Sequence, residues 1–134
     1  TRAYRRGTDQ QMISKHGKLT ELKKNPQGWD DYDSALEREY MVELERDPSV
    51  KSWTKKHGIK IPYKFLGFTR HYLPDFLVEY QDGSKELHET KGLPLLLWTS
   101  TKLKGESAEE FCKKQGWKYK KITKGSLAFY TKVD

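Results

Sequence analysis

Apolar positions along this chain recur with two different periods, and the change of period marks out its elements. Leu36, Tyr40 and Leu44 repeat at i, i+4, i+8 between Ser34, a favoured N-cap, and Pro48, which disfavours helix in the residue before it. A helix is therefore expected over 34–46. On it Glu37 shares an edge with Met41 and Leu44, while Glu39, Glu43 and Arg46 face solvent, so Glu37 is the acid nearest the interior. Just beyond Pro48, Val50 and Trp53 read as buried. Period two then takes over. Ile59 to Phe65 alternates apolar and polar, with Pro62 favouring an edge position, and Gly67 marks a turn. The runs His71–Tyr80 and Lys85–Gly92 follow, joined by Gln81-Asp82-Gly83-Ser84, and Asp-Gly between such runs is a strong hairpin signal. Together these three runs predict an antiparallel meander.

Leu93 to Trp98 is the most apolar run and reads as a buried connection. A second helix is expected from Glu106 to Gln115, with Ala108, Phe111 and Cys112 inward and Gly116 as its stop. Strands at Trp117–Thr123 and Leu127–Val133 close the chain. The expected order is α-β-β-β-α-β-β, an α/β (α+β) layer fold in which helices cover a central mixed sheet. Residues 1–29 show no sustained period, although Met12, Ile13, Leu19 and Leu22 are spaced for a short helix. The chain divides into a basic arm, 1–29, and one domain, 30–134.

Charge sharpens this picture. The 134 residues carry a net charge of +7, with charged and hydrophobic residues at 34% each. The arm contributes +5, residues 30–50 contribute −6, and the remainder +8. A basic chain with one acidic island suits a polyanion partner and a local demand for carboxylates. Arg2, Arg5 and Arg6 in the arm, with Lys55, Lys56, Arg70, Lys102 and Lys104, are candidates for phosphate contacts, which carry little sequence information. No apolar run approaches a membrane span. Cys112 is the only cysteine and no leader-like segment is read, which leads to an expected cytoplasmic location; a structural zinc site is not expected.

The hairpin delivers the chemistry. Asp75 lies on its first run, and Glu89 and Lys91, two apart and so on one face, lie on its second. Mg²⁺ is commonly held by one or two carboxylates, with water and phosphate in its other positions. Asp75 and Glu89 supply that pair, the Thr90 carbonyl offers a third ligand, and Glu37 offers a ligand to a second ion or to metal-bound water. Lys91 would stand beside the attacking water. Each residue also has a plainer reading. Pro74-Asp75 is ordinary turn chemistry, Glu89 and Lys91 make an ordinary surface pair, and Ser34-x-x-Glu37 is a capping box.

Pro74-Asp75 with Glu89-Thr90-Lys91 resembles the PD-(D/E)XK signature of the restriction-endonuclease-like nucleases. Ser34 to Tyr40, Asp47-Pro48-Ser49-Val50, and Tyr72 to Val78 with Asp82-Gly83 further resemble the TnsA-like transposon-end nucleases. Ser-x-Leu-Glu, Tyr-x-Pro-Asp-Phe-Leu and Glu-Thr-Lys-Gly are also similar to phage junction resolvases of the endonuclease I type. The resemblance covers roughly 34–125. It implies a restriction-endonuclease-like core, a Mg²⁺ or Mn²⁺ requirement, and cleavage of DNA to 5′-phosphate and 3′-hydroxyl ends in phage or mobile-element processing. It also implies that Glu37 is an active-site acid, whether or not it caps its helix. A homodimer or a partner recombination protein would supply the second cut. Two other readings are a non-catalytic basic DNA-binding module and a subunit docking through Leu93–Trp98.

Overall fold

The computed structural model describes residues 16–91 and 99–124. Strands β1 (Gly17–Leu19) and β2 (Asp30–Tyr32) pair antiparallel and lead into helix α1 (Ala35–Arg46). Then come β3 (Val50–Thr54), β4 (Ile61–Phe65), β5 (Phe68–Tyr72), β6 (Phe76–Tyr80), β7 (Lys85–Thr90), α2 (Thr99–Gln115) and β8 (Lys118–Ile122). The central sheet runs β3-β6-β7-β8, antiparallel except for the parallel pair β7–β8, whose connection carries α2. It is therefore the mixed sheet of an α+β fold with helices on both faces. Tyr40, Met41 and Leu44 of α1 pack with Val50, Trp53, Phe76 and Val78. On the opposite face Ala108 and Cys112 of α2 pack with Ile61, Tyr72 and Leu87.

Helix α1 starts where its cap dictates: Ser34 Oγ accepts the Glu37 N–H at 3.0 Å. The hairpin turn also forms locally, with Gly83 at φ +89° and Asp82 Oδ1 accepting from Ser84 N and Oγ. Three expectations change. The meander does not form, because Leu73-Pro74-Asp75 splits the run His71–Tyr80 into β5 and β6. Proline has no N–H to continue the ladder, so β5 folds back on β4 as a separate two-stranded ribbon, and β3 takes the place beside β6. Helix α2 begins at Thr99 rather than Glu106, because Gly105 sits inside the helix instead of breaking it. A Cβ there would lie 2.9 Å from Lys121 Nζ, so glycine lets α2 approach β8 closely. The element order among the described residues is thus β-β-α-β-β-β-β-β-α-β.

Residues 17–29, read from sequence as arm with a short helix, instead form β1 and a loop joined to the domain. Leu19 and Leu22 pack on the core of α1. Lys23 and Lys24 N–H groups bond to the Glu45 carboxylate at 2.8 and 3.0 Å, and Lys24 C=O accepts from Trp53 N–H. Arg2, Arg5, Arg6, the Leu93–Trp98 run and the expected Leu127–Val133 strand lie outside the described residues. Among the described residues no helix is long and apolar enough to cross a membrane.

One buried polar chain locks α1 onto β7. Tyr40 hydroxyl donates to His88 Nδ1 at 2.5 Å, and His88 Nε2 then donates to Glu86 Oε1 at 2.8 Å. Tyr80 hydroxyl donates to the same oxygen at 3.0 Å, with Lys120 Nζ 3.3 Å away. Burial pushes the Glu86 carboxyl up, but these bonds and the lysine outweigh it and hold it down at about 2. Because Glu37 lies one turn before Tyr40 and Glu89 follows His88, this chain also sets the spacing of those two acids.

Candidate active site

Asp75 sits just ahead of β6, in the gap that Pro74 opens, and Glu89 lies near the end of β7 beside it. The two are interlocked through backbone groups. Asp75 N–H donates to Glu89 Oε1 at 3.0 Å, and Asp75 Oδ2 accepts from Thr90 N–H at 3.0 Å and Thr90 Oγ1 at 2.7 Å. Lys91 Nζ is 3.2 Å from Glu89 Oε2, as its position two residues along the strand requires. Lys91 N–H also bonds to Ile122 C=O, so the parallel strand β8 holds the lysine backbone. Thr90 thus serves through its N–H and hydroxyl as the clamp on Asp75, a part the sequence did not reveal.

Glu37 is brought alongside and is engaged by Lys55. Glu37 Oε1 accepts from Asp33 N–H at 2.8 Å and lies 2.5 Å from Lys55 Nζ. The capping box is therefore extended, since the carboxylate reaches past Ser34 to the residue before it. Lys55 was expected on a phosphate-contacting surface loop. Its side chain is only 12% exposed and turns inward, between Glu37 and the face of the Phe76 ring, 5.8 Å from the ring centre. Fully buried Asp30 fixes this turn by accepting Lys55 N–H at 3.0 Å, with Asn25 Nδ2 on the same oxygen.

Electrostatics mark the pair. Burial, the neighbouring Glu89 and then Glu37 push the Asp75 carboxyl up to about 7, against the lowering effect of the Thr90 bonds. Burial raises Glu89 as well, with Lys91 and the Tyr72 hydroxyl opposing it. Like charges held together out of water fit a divalent cation, whose charge would relieve both. Among the described residues no three His, Cys, Asp or Glu side chains converge into a protein-only cage.

The other expected cations divide. Arg70 is exposed on β5 and Lys102 is exposed on α2. Lys56 pairs with Asp31 at 3.1 Å and covers the Trp29 ring at 4.9 Å. Lys104 packs over the rings of Tyr63 and Tyr72, at 5.9 and 5.8 Å, instead of standing free. His57 escaped the sequence reading. Its Nδ1 accepts Ile59 N–H at 3.0 Å, so Nε2 carries the proton and donates to Pro74 C=O at 2.7 Å. Burial keeps its imidazole below the usual histidine range, which favours this neutral form. His57 therefore steadies the carbonyl next to Asp75, and a histidine in a Lys-rich loop gives no local sign of it.

Two interlocked acids, a lysine on one of them, and a third acid across from them can hold a cation and polarise a phosphodiester. Residues 47–124, more than half of the chain, match the family model described as TnsA-like endonuclease N terminal. No curated protein matches the chain.

Proposed function

Because the chain belongs to the TnsA-like endonuclease N-terminal family, we propose that it is a metal-dependent DNA endonuclease acting in mobile-element DNA processing. It would hydrolyse phosphodiesters to 5′-phosphate and 3′-hydroxyl ends. The observation that carries this reading is the Asp75–Glu89 interlock with Lys91 on its flank. Asp75 and Glu89 would hold Mg²⁺ or Mn²⁺, with Glu37 available beside them and the Thr90 carbonyl next in line. When bound, the ion supplies a lowered pKa for water and neutralises charge on the phosphoryl oxygens. Lys91 Nζ would donate a hydrogen bond to the oxygen of the attacking water or to a non-bridging phosphoryl oxygen, and Thr90 keeps Asp75 oriented. Lys55 balances Glu37 until the substrate and cation arrive. A second copy, or a partner recombination protein, would bring the second site needed for a double-strand cut.

Supercoiled plasmid should be nicked in Mg²⁺ and left intact in EDTA, and Lys91→Ala should slow nicking by about 10²-fold with the melting temperature kept. Nicking that is indifferent to EDTA would overturn the reading; salt-sensitive DNA binding with no nicking in either Mg²⁺ or Mn²⁺ would point to a non-catalytic module instead. Ion binding should also compete with protons. Mn²⁺ affinity, read by calorimetry, is expected to climb as pH rises toward 7 and then level, because Asp75 gives up its proton at about 7. An affinity flat across that range would remove Asp75 from the ligand set.

A further inference from the structure

The β4–β5 ribbon leaves the core with apolar surface exposed at its tip. At its base Ile61 and Tyr72 are buried against α2. At its tip Leu66 and Phe68 are 77% and 66% exposed. Leu66 also holds a left-handed backbone, φ +53°, next to Gly67 at φ +82°. A leucine there costs on the order of 1 kcal/mol, where asparagine or glycine would turn more easily. Folding alone does not account for such a residue.

The ribbon's own charges have one sign, although Glu106 and Glu110 of α2 stand beside Ile61 and Pro62 at its base. Residues 48–74 contain no aspartate or glutamate, in a chain with 19 of them. Register places Pro62 opposite His71 and Lys64 opposite Thr69, so Lys64 and His71 share the ribbon face opposite to that of Ile61 and Tyr72, and exposed Lys60 lies just before the strand. Arg70 lies opposite Tyr63 on the other face, exposed beyond the packed base. The ribbon then runs through Leu73-Pro74 directly into Asp75. The base of the ribbon thus adjoins the carboxylate pair, while its tip, seven to nine residues before Asp75, reaches away from it along β5.

We propose that the β4–β5 ribbon is a DNA-groove wedge, in which Leu66 and Phe68 enter a groove of duplex DNA while Lys60, Lys64, Arg70 and His71 bind the flanking phosphates. Two-stranded ribbons fit DNA grooves, and apolar side chains inserted between base steps unstack and bend the duplex. A ribbon whose own charged residues are all cationic matches phosphates, whereas a protein-docking tip needs no such bias. The proposal rests on the nuclease reading above for its biological sense, and its test is independent of cleavage.

The full chain is titrated onto a short fluorescent duplex of mixed sequence in EDTA at low salt, with binding read by anisotropy and bending by end-to-end energy transfer. Lys64→Ala/Arg70→Ala should lower the slope of log affinity against log salt by about 2. Leu66→Ser/Phe68→Ser should keep that slope, weaken binding about tenfold, and lose the bend. Both pairs are at exposed positions, and unchanged melting temperatures confirm an intact fold. A tip variant that binds and bends duplex like wild type overturns the proposal and leaves the tip as a protein contact. Wild type that does not bind duplex overturns it too. Ribbon-dependent binding with no plasmid nicking in Mg²⁺ supports the wedge while sinking the nuclease reading.

Discussion

Asp75→Asn is expected to reduce plasmid nicking by about 10³-fold while making the metal-free protein harder to melt at pH 8. The first effect follows from losing a ligand charge at the cation. The second follows from the same charge being costly without the cation. Burial with Glu89 and Glu37 nearby raises Asp75 from an ordinary 3.8 to about 7, so its folded-state pKa lies above its unfolded one. Below about 4 the group is protonated in both states and nothing is lost. As pH climbs to 7 the unfolded chain ionises first, and stability falls until the folded carboxyl has ionised too. Asparagine removes that cost, on the order of 4 kcal/mol at pH 8, and its Oδ1 still accepts from Thr90 N–H and hydroxyl. His57 and Glu86 titrate with the opposite sign, toward lower stability in acid, but both proteins carry them. The informative quantity is therefore the difference in melting temperature between variant and wild type, expected near zero at pH 4 and largest at pH 8. A difference independent of pH would mean that Asp75 is not strained by its neighbours, and full nicking by the variant would end the site assignment.

This clustering of buried carboxylates was only half visible in the sequence. Asp75, Glu89 and Lys91 are legible because they sit on a hairpin whose Asp-Gly turn and strand alternation fix their relation locally. Glu37 is legible as the acid on the apolar edge of α1. Neither pattern says that Lys55 turns inward, because that turn depends on buried Asp30, which sits 25 residues earlier on β2. His57 on Pro74 is a contact across 17 residues for the same reason. Strands β1, β2 and β3 span three to five residues, too few to display a period against Lys and Asp neighbours. Pro74 was visible as a turn residue, yet its consequence, a change of sheet between β5 and β6, is a tertiary choice. Gly105 lies inside α2, where close packing of the helix on β8 outweighs the low helix propensity of glycine.

Phe76→Ala is expected to cost about 3–5 kcal/mol, a large share of what a domain of this size has. Phe76 is fully buried, meets Tyr40 edge-on at 5.3 Å and Trp53 at 5.8 Å, and forms the floor under Lys55. It is also the first residue of β6, directly after Asp75. Truncation would open a cavity between α1 and the sheet, the same seam that the Tyr40–His88 bond closes. The urea midpoint should fall steeply, and nicking should vanish where the fold does. Phe76→Leu separates packing from chemistry. It keeps most of the buried volume, so it should lose only about 1–1.5 kcal/mol and stay folded, but it removes the ring face beneath the Lys55 ammonium. If that face helps seat Lys55 on Glu37, the leucine variant nicks more slowly than its stability explains; if Phe76 only fills space, nicking is unchanged. An alanine variant with a wild-type urea midpoint would show that α1 does not depend on β6 at this point, and the convergence of Glu37 with Asp75 would then need another cause.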